Sequence, residues 1–283
     1  MDQRYATHPD QIAGLDTQAL RDTFLVERLF VPGQVTAVYT HHDRIVLAGA
    51  VPAGTPLPLE AFPELRAEHF LQNREAGIIN VGGAGTVTAD GETYPMAKGA
   101  CLYLGRGVRD VVFADDDVDA DVDVEEGGAQ FYLFSAPAHT TYPTVLAQPG
   151  EGTVRELGDQ LTSNRRTLTQ LIHADGIRSC QIVMGFTTLH PGSMWNTMPA
   201  HTHDRRTECY LYFDVPADAR VLHVCGEPEE TRHLVVADRQ AVISPSWSVH
   251  SGVGTASYSF VWAMAGENQA FDDMDAVPVA ALR

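Results

Sequence analysis

Apolar positions along this chain fall into short runs rather than long helical faces. One stretch differs. In DTQALRDTFLVERLF (16–30), Leu20, Phe24 and Leu25 line one side behind a capping Asp16 or Thr17, which predicts an amphipathic helix. After it the period shortens. Runs rich in Val, Ile, Tyr and Phe recur between Gly, Pro and Asp breaks: RIVLAGAV (44–51), GIINVGG (77–83), ACLYLG (100–105), QFYLFSA (130–136), CQIVMGF (180–186), CYLYFDV (209–215), RVLHVCG (220–226), QAVISP (240–245) and YSFVWAM (258–264). Short strands at near-regular spacing predict an all-β barrel or sandwich. Asp90-Gly91, between GTVTA and ETYPM, predicts a two-residue hairpin turn.

The pattern also repeats faintly. KGACLYLGRGVRD (98–110) lies over RQAVISPSWSVHS (239–251), DGE (90–92) resembles CGE (225–227), and HFLQNRE (69–75) parallels HDRRTE (203–208) with one extra residue. Together these matches predict two copies of one β-barrel unit, residues 1–150 and 151–283. The Pro/Gly-punctuated segment 143–166 reads as the linker.

Charge narrows the partners. The formal net charge is −18, a field that repels nucleic acid and anionic membrane surfaces. Lys98 is the single lysine, so an anionic substrate would be held by arginines. The polar N-terminus carries no secretory pattern, no apolar run approaches the ~20 residues of a membrane span, and Cys101, Cys180, Cys209 and Cys225 lack CxxC spacing. These features predict a cytoplasmic protein with reduced thiols. The acidic stretch 115–128 alternates Asp119, Asp121 and Asp123 like a calcium loop, but Val124 and Gln130 stand where Gly and Glu are needed. It reads as a solvated connection.

Candidate chemistry centres on MPAHTHDRRTECYLYF (198–213). On a strand, His201 and His203 share a face, while Glu208 reaches it only through an intervening turn or bulge. The repeat adds His250, which lies 42 positions beyond Glu208 in VISPSWSVHSGVG (242–254). Three imidazoles and a carboxylate suit Zn²⁺, Mn²⁺, Fe²⁺ or Ni²⁺.

His-x-His-x4-Glu with a later Pro-x4-His resembles the two cupin motifs. It departs from them in the eight residues between Gly192 and His201 and in Trp247 at a glycine position. The segments SNRRT (163–167), WNTMPAHTHDRRTE (195–208), ETRH (230–233), QAVISPSWSVHSGVG (240–254) and GENQAFDDMD (266–275) are similar to the 5-keto-4-deoxyuronate isomerase family. LDTQALRDTFLVERLFV (15–31), INVGGAGTVTADG (79–91) and APAHTTYPT (136–144) extend the likeness over nearly the whole chain. The resemblance implies two cupin barrels, the first metal-free and the second holding one zinc through His201, His203, Glu208 and His250. It also implies a homohexamer that turns 5-dehydro-4-deoxy-D-glucuronate into 3-deoxy-D-glycero-2,5-hexodiulosonate in pectin and uronate breakdown.

Such an aldose–ketose shift needs a base for the C2 proton, and the sequence does not identify it. Glu267 and His233 are candidates because they lie in the family-like stretches, each set against a structural reading. The substrate carboxylate calls for an arginine fork, with Arg165, Arg166 and Arg206 as candidates. Trp195, Trp247 and Trp262 read as core or wall. His69, Glu75 and Arg109 are the first half's worn counterparts of the ligand set. A related deoxy-uronate isomerase of the inositol pathway and an iron-dependent cupin dioxygenase remain alternatives.

Overall fold

A computed structural model describes residues 1–116 and 127–283. Most of the acidic stretch, including Asp119, Asp121, Asp123 and Val124, lies outside the described residues. Two sheet systems follow each other along the chain. The first large sheet runs in the spatial order Asp2–Arg4, Gln34–Thr40, Val46–Val51, Phe131–Pro137, Arg74–Asn80, Cys101–Leu104, Val145–Ala147. Facing it is a small sheet ordered Leu57–Pro58, Val111–Asp115, Gly85–Ala89, Glu92–Met96. The second large sheet repeats the plan as Thr153–Leu157, Arg166–Ile172, Val183–Leu189, Ser259–Gly266, Arg206–Phe213, Ala241–Ser244, Leu25–Val26. Its small partner is Trp195–Asn196, Ser251–Gly254, Val221–Glu227, Glu230–Val236. This is the all-β, two-barrel cupin architecture.

Alternation explains how the layers hold. In Arg74–Asn80, Ala76 and Ile78 face the first barrel's interior with Leu102, Phe131 and Leu133, while Ile79 faces the other way. In Arg206–Phe213, Tyr210 and Tyr212 face the second barrel's interior, while Cys209, Leu211 and Phe213 face out. The outward sets of both large sheets share one apolar layer with Tyr132, Phe134, Val261 and Ala263. The two barrels are therefore packed back to back, and their central strands are buried on both faces, so they read as continuous apolar runs.

Three sequence expectations change. The N-terminal helix spans Thr17–Phe24 only, capped by Asp16, whose carboxylate accepts from the Ala19 amide at 2.8 Å. Leu25 and Val26 leave it to pair with Val242 and Ala241, because the edge of the second large sheet offers them backbone partners. Ile12, Leu20, Phe24 and Leu25 join the second barrel's core, so a division at residue 150 does not separate two independent pieces. The segment 143–166 is not an unstructured linker; it holds the edge strands Val145–Ala147 and Thr153–Leu157. The hairpin at Asp90-Gly91 forms with both residues at positive φ, 47° and 85°.

Glu75 does not echo a ligand. It points out of the first barrel, is fully buried, and accepts from the Tyr103 hydroxyl at 2.7 Å and the backbone amides of Cys180, Gln181 and Ile182 at 2.7, 2.8 and 3.1 Å. One carboxylate thus ties the first half to the turn that enters Val183–Leu189 of the second. Arg109 is exposed, 3.9 Å from Glu68. Glu75→Gln turns an NH₂ toward these N–H donors and should lower unfolding free energy by about 2–4 kcal/mol, since hydrogen bonds to a charged group are worth ~1.5–3 kcal/mol each and partial compensation is expected. Urea denaturation monitored by tryptophan fluorescence checks this; an unchanged midpoint would mean the tie contributes nothing.

Candidate metal centre

The strand Arg206–Phe213 puts Arg206, Glu208, Tyr210 and Tyr212 on the barrel's inner face. The odd spacing between the histidines and Glu208 is resolved by a turn. His201–Thr202 is a two-residue strand, and Asp204 and Arg205 reverse the chain, closed by the Arg206 amide donating to the His203 carbonyl at 3.0 Å. His250 enters from the residues before Ser251–Gly254.

The ligand atoms of His201, His203, Glu208 and His250 all lie within 4.8 Å of one another. His203, Glu208 and His250 are buried and His201 is half-buried. Glu208 Oε2 is 2.9 Å from His203 Nε2 and 2.8 Å from His250 Nε2, and the Nε2 atoms of His250 and His201 are 3.0 Å apart. The far side of two rings fixes their tautomer. His203 Nδ1 donates to the Arg206 carbonyl at 3.0 Å, and His250 Nδ1 to the Ser248 carbonyl at 3.3 Å. A carbonyl only accepts, so Nδ1 of each ring carries the proton, and a ring with no second proton presents a bare Nε2 lone pair toward Glu208. Burial lowers His201 to about 3 and keeps it neutral. Lone pairs converging on one point are stable around a cation, so the residues present fit a divalent metal. Among the described residues this is the one cluster of its kind.

The cluster opens on a cavity of about 360 Å³. Arg166, Arg206, Thr187, Thr197 and Tyr210 supply its other polar wall, and Leu168, Phe260, Trp262, Met264, Phe271 and Met274 much of the apolar one. The C-terminal segment that brings Phe271 and Met274 is strapped down. Arg205 Nε donates to both oxygens of Asp273 at 2.8 and 2.9 Å, and its Nη2 to Asp275 at 2.7 Å. Arg206, fully buried, donates to the carbonyls of Ala270 at 2.7 Å and Asp273 at 2.9 Å.

The three arginines proposed for the carboxylate therefore separate. Arg165 is exposed and lies off the cavity; Arg206 lines it but has both terminal nitrogens engaged by the strap. Arg166 lines it with Nη1 donating to the Asn164 carbonyl at 2.9 Å and its other nitrogens unengaged among the described residues. Glu267 and His233 are both exposed and neither lines the cavity, so the structure does not bring these base candidates to the cluster. Tyr210 and Thr197, which do line it, were not singled out by motif. Alternation from Glu208 through CYLYF points to Tyr210, whereas no local signal marks Thr197.

Two back-to-back cupin barrels, one of them carrying a three-histidine, one-carboxylate cluster at a cavity, define a bicupin with a candidate metal site. Residues 26–279 match the KduI/IolB family, and the chain belongs to it. It is 67% identical over 283 residues to the 4-deoxy-L-threo-5-hexosulose-uronate ketol-isomerase of Kineococcus radiotolerans, covering all of both chains. It is 52% identical over 283 residues to the relative of that name from Halalkalibacterium halodurans and 50% identical over 285 residues to that from Escherichia coli O8, again covering all of each chain. Among solved structures, an IolB-like protein from Salmonella typhimurium superposes with a TM-score of 0.70 at 16% identity, covering 90% of this chain and 96% of that one. An oxalate decarboxylase from Bacillus subtilis superposes with a TM-score of 0.50 at 14% identity, covering 80% of this chain and 69% of that one. These two likenesses bear on the fold alone.

His203→Ala should weaken zinc binding by more than the roughly 10–100-fold that loss of an outer-shell partner costs. Elemental analysis after dialysis checks it; full occupancy in the variant would remove His203 from the site.

Proposed function

We propose that this chain is a metal-dependent ketol-isomerase acting on 5-dehydro-4-deoxy-D-glucuronate and forming 3-deoxy-D-glycero-2,5-hexodiulosonate in uronate and pectin breakdown. The observation that carries the reading is one cavity lined by His201, His203 and Glu208 of the four-residue cluster and also by the Arg166 fork. The full-length identity to relatives named for this reaction supports it. A divalent ion held by His201, His203, Glu208 and His250, zinc as the family resemblance implies, would supply electrophilic charge at the substrate's aldehyde end. The protein's own groups do the rest. Arg166 binds the C6 carboxylate and sets the substrate's direction. Phe260, Trp262, Met264 and Phe271 exclude water and face the C4 methylene, where a hydroxyl would lose its hydrogen bonds on burial. Arg206 keeps the strap closed over this wall.

Four free cysteines, three of them buried, support the cytoplasm as the compartment. A homohexamer is the assembly the family resemblance implies. Trp195, Val253, Leu222 and Val235 lie opposite one another across the outer face of the second small sheet and form an apolar row available to a neighbouring copy.

The test is anaerobic incubation of the zinc-loaded enzyme with the 4-deoxy-uronate released by an unsaturated-uronate lyase, following loss of aldehyde by NMR. Turnover without O₂ is expected; an absolute need for O₂ would favour an iron dioxygenase, and turnover confined to the inositol-pathway uronate would reassign the substrate. Arg166→Ala should raise KM about 10–100-fold, the loss of one charge-assisted hydrogen-bonded pair, with Arg166→Lys in between. Unchanged KM in both would take Arg166 out of carboxylate binding.

A further inference from the structure

A buried polar chain behind Tyr210 serves neither the cluster nor the carboxylate fork. Tyr210 lies two residues past Glu208 on the same strand and faces the same cavity. Its ring stands edge-on to His250, with centroids 5.5 Å apart, and Arg166 lines the same cavity. Tyr210 thus shares one cavity with the cluster and the fork. Its hydroxyl is 3.0 Å from Thr197 Oγ1; Asn196 Nδ2 is 3.0 Å from the same oxygen; and Asn196 Oδ1 takes the Tyr258 hydroxyl.

The chemistry of each group sets the direction of the chain. An amide oxygen only accepts, so Tyr258 donates, and the Asn196 NH₂ turns toward Thr197. That NH₂ only donates, so Thr197 Oγ1 accepts. Thr197's own proton is then free to go to the Tyr210 oxygen 3.0 Å away, and in that orientation the Tyr210 O–H is left to be given into the cavity. The arrangement is held firmly. Asn196 is fully buried, Tyr258 is 2% exposed, and the Asn196 carbonyl takes the Ser251 hydroxyl at 3.0 Å. Thr197 sits at φ 51°, in the left-handed region that β-branched residues rarely adopt. Backbone in that region persists where the surroundings over-determine it, which is frequent in ligand-holding segments.

This inference rests on the isomerase reading. The substrate then has an aldehyde and hydroxyl at one end and, at the other, a keto oxygen next to the carboxylate. With the carboxylate on Arg166 and the aldehyde end at the cluster, the keto oxygen falls beside Tyr210. A keto oxygen only accepts, and Tyr210 with Thr197 donating to it has a donor to spare. We propose that the Tyr210 hydroxyl contacts the substrate and holds its C5 keto oxygen, and that Tyr258, Asn196 and Thr197 are positioning residues that aim it. Tyr210 donates a hydrogen bond and keeps its proton throughout.

The test uses the zinc-loaded full-length enzyme and the lyase-derived 4-deoxy-uronate, with kcat, KM and zinc content measured for each variant. Tyr210→Phe should raise KM about 10-fold with kcat within about 2-fold and zinc unchanged, the signature of a lost ground-state hydrogen bond. Thr197→Val should move KM the same way by a smaller factor, and Thr197→Ser should restore it. Normal KM in Tyr210→Phe overturns the proposal. So does zinc loss that tracks the activity loss, which would make Tyr210 a support for the cluster alone. Equal impairment in Thr197→Val and Thr197→Ser removes the aiming chain, since backbone strain rather than the hydroxyl would then matter. If the wild-type enzyme does not turn over the substrate, the isomerase reading falls and this inference with it; wild-type turnover with an unaffected Tyr210→Phe defeats the inference alone.

Discussion

Burial of the strand Arg206–Phe213 on both of its faces is the constraint from which the site follows. One face looks into the second barrel, the other into the apolar layer shared by the two large sheets. A strand fixed on two sides cannot slip by one residue without sending Glu208 into the inter-barrel layer and Cys209 into the cavity. The register with Ser259–Gly266 and Ala241–Ser244 therefore sets where the carboxylate, the Tyr210 hydroxyl and the Arg206 guanidinium stand relative to one another. The first barrel contributes to chemistry in this indirect sense: it is the wall against which the catalytic sheet is pressed, and Glu75 is the polar pin through that wall.

Much of the fold was legible because strand patterning is local. The runs from RIVLAGAV to YSFVWAM coincide with observed strands, and Asp90-Gly91 makes its hairpin. What escaped reading depends on distant partners. Leu25 and Val26 continue a helical pattern, but a sheet edge formed more than 200 residues later captures them. The strands Val145–Ala147 and Thr153–Leu157 are edge strands; the first is only three residues long and the second is largely exposed, so neither carries a pattern long enough to mark it.

The candidate site divides in the same way. Metal-ligand residue types announce themselves, and the repeat pointed to His250; the structure draws the four side chains together across 49 residues of chain. Arginines do not announce their task. Arg165, Arg166 and Arg206 are alike in sequence, and only the hydrogen bonds made by each guanidinium tell a surface residue, an open fork and a strap fastener apart. Glu267 and His233 lay in the right segments yet on the wrong side of the backbone, because a family-like stretch does not specify which way a given side chain faces.

The pairing of Leu25–Val26 with Ala241–Val242 makes the protein a closed circuit. During synthesis the N-terminal arm emerges first, yet its docking place does not exist until the last quarter of the chain has been made. The arm must stay unattached while the first barrel forms, and the second barrel remains open along one edge and short of Ile12, Leu20 and Phe24 until the circuit closes. Contacts at such separation form late and slowly, since loop closure must precede any gain from packing. Completion of the barrel that carries the candidate metal site is thereby coupled to the presence of both Leu25–Val26 and Ala241–Ser244, so a chain stalled before the latter is left without a finished site.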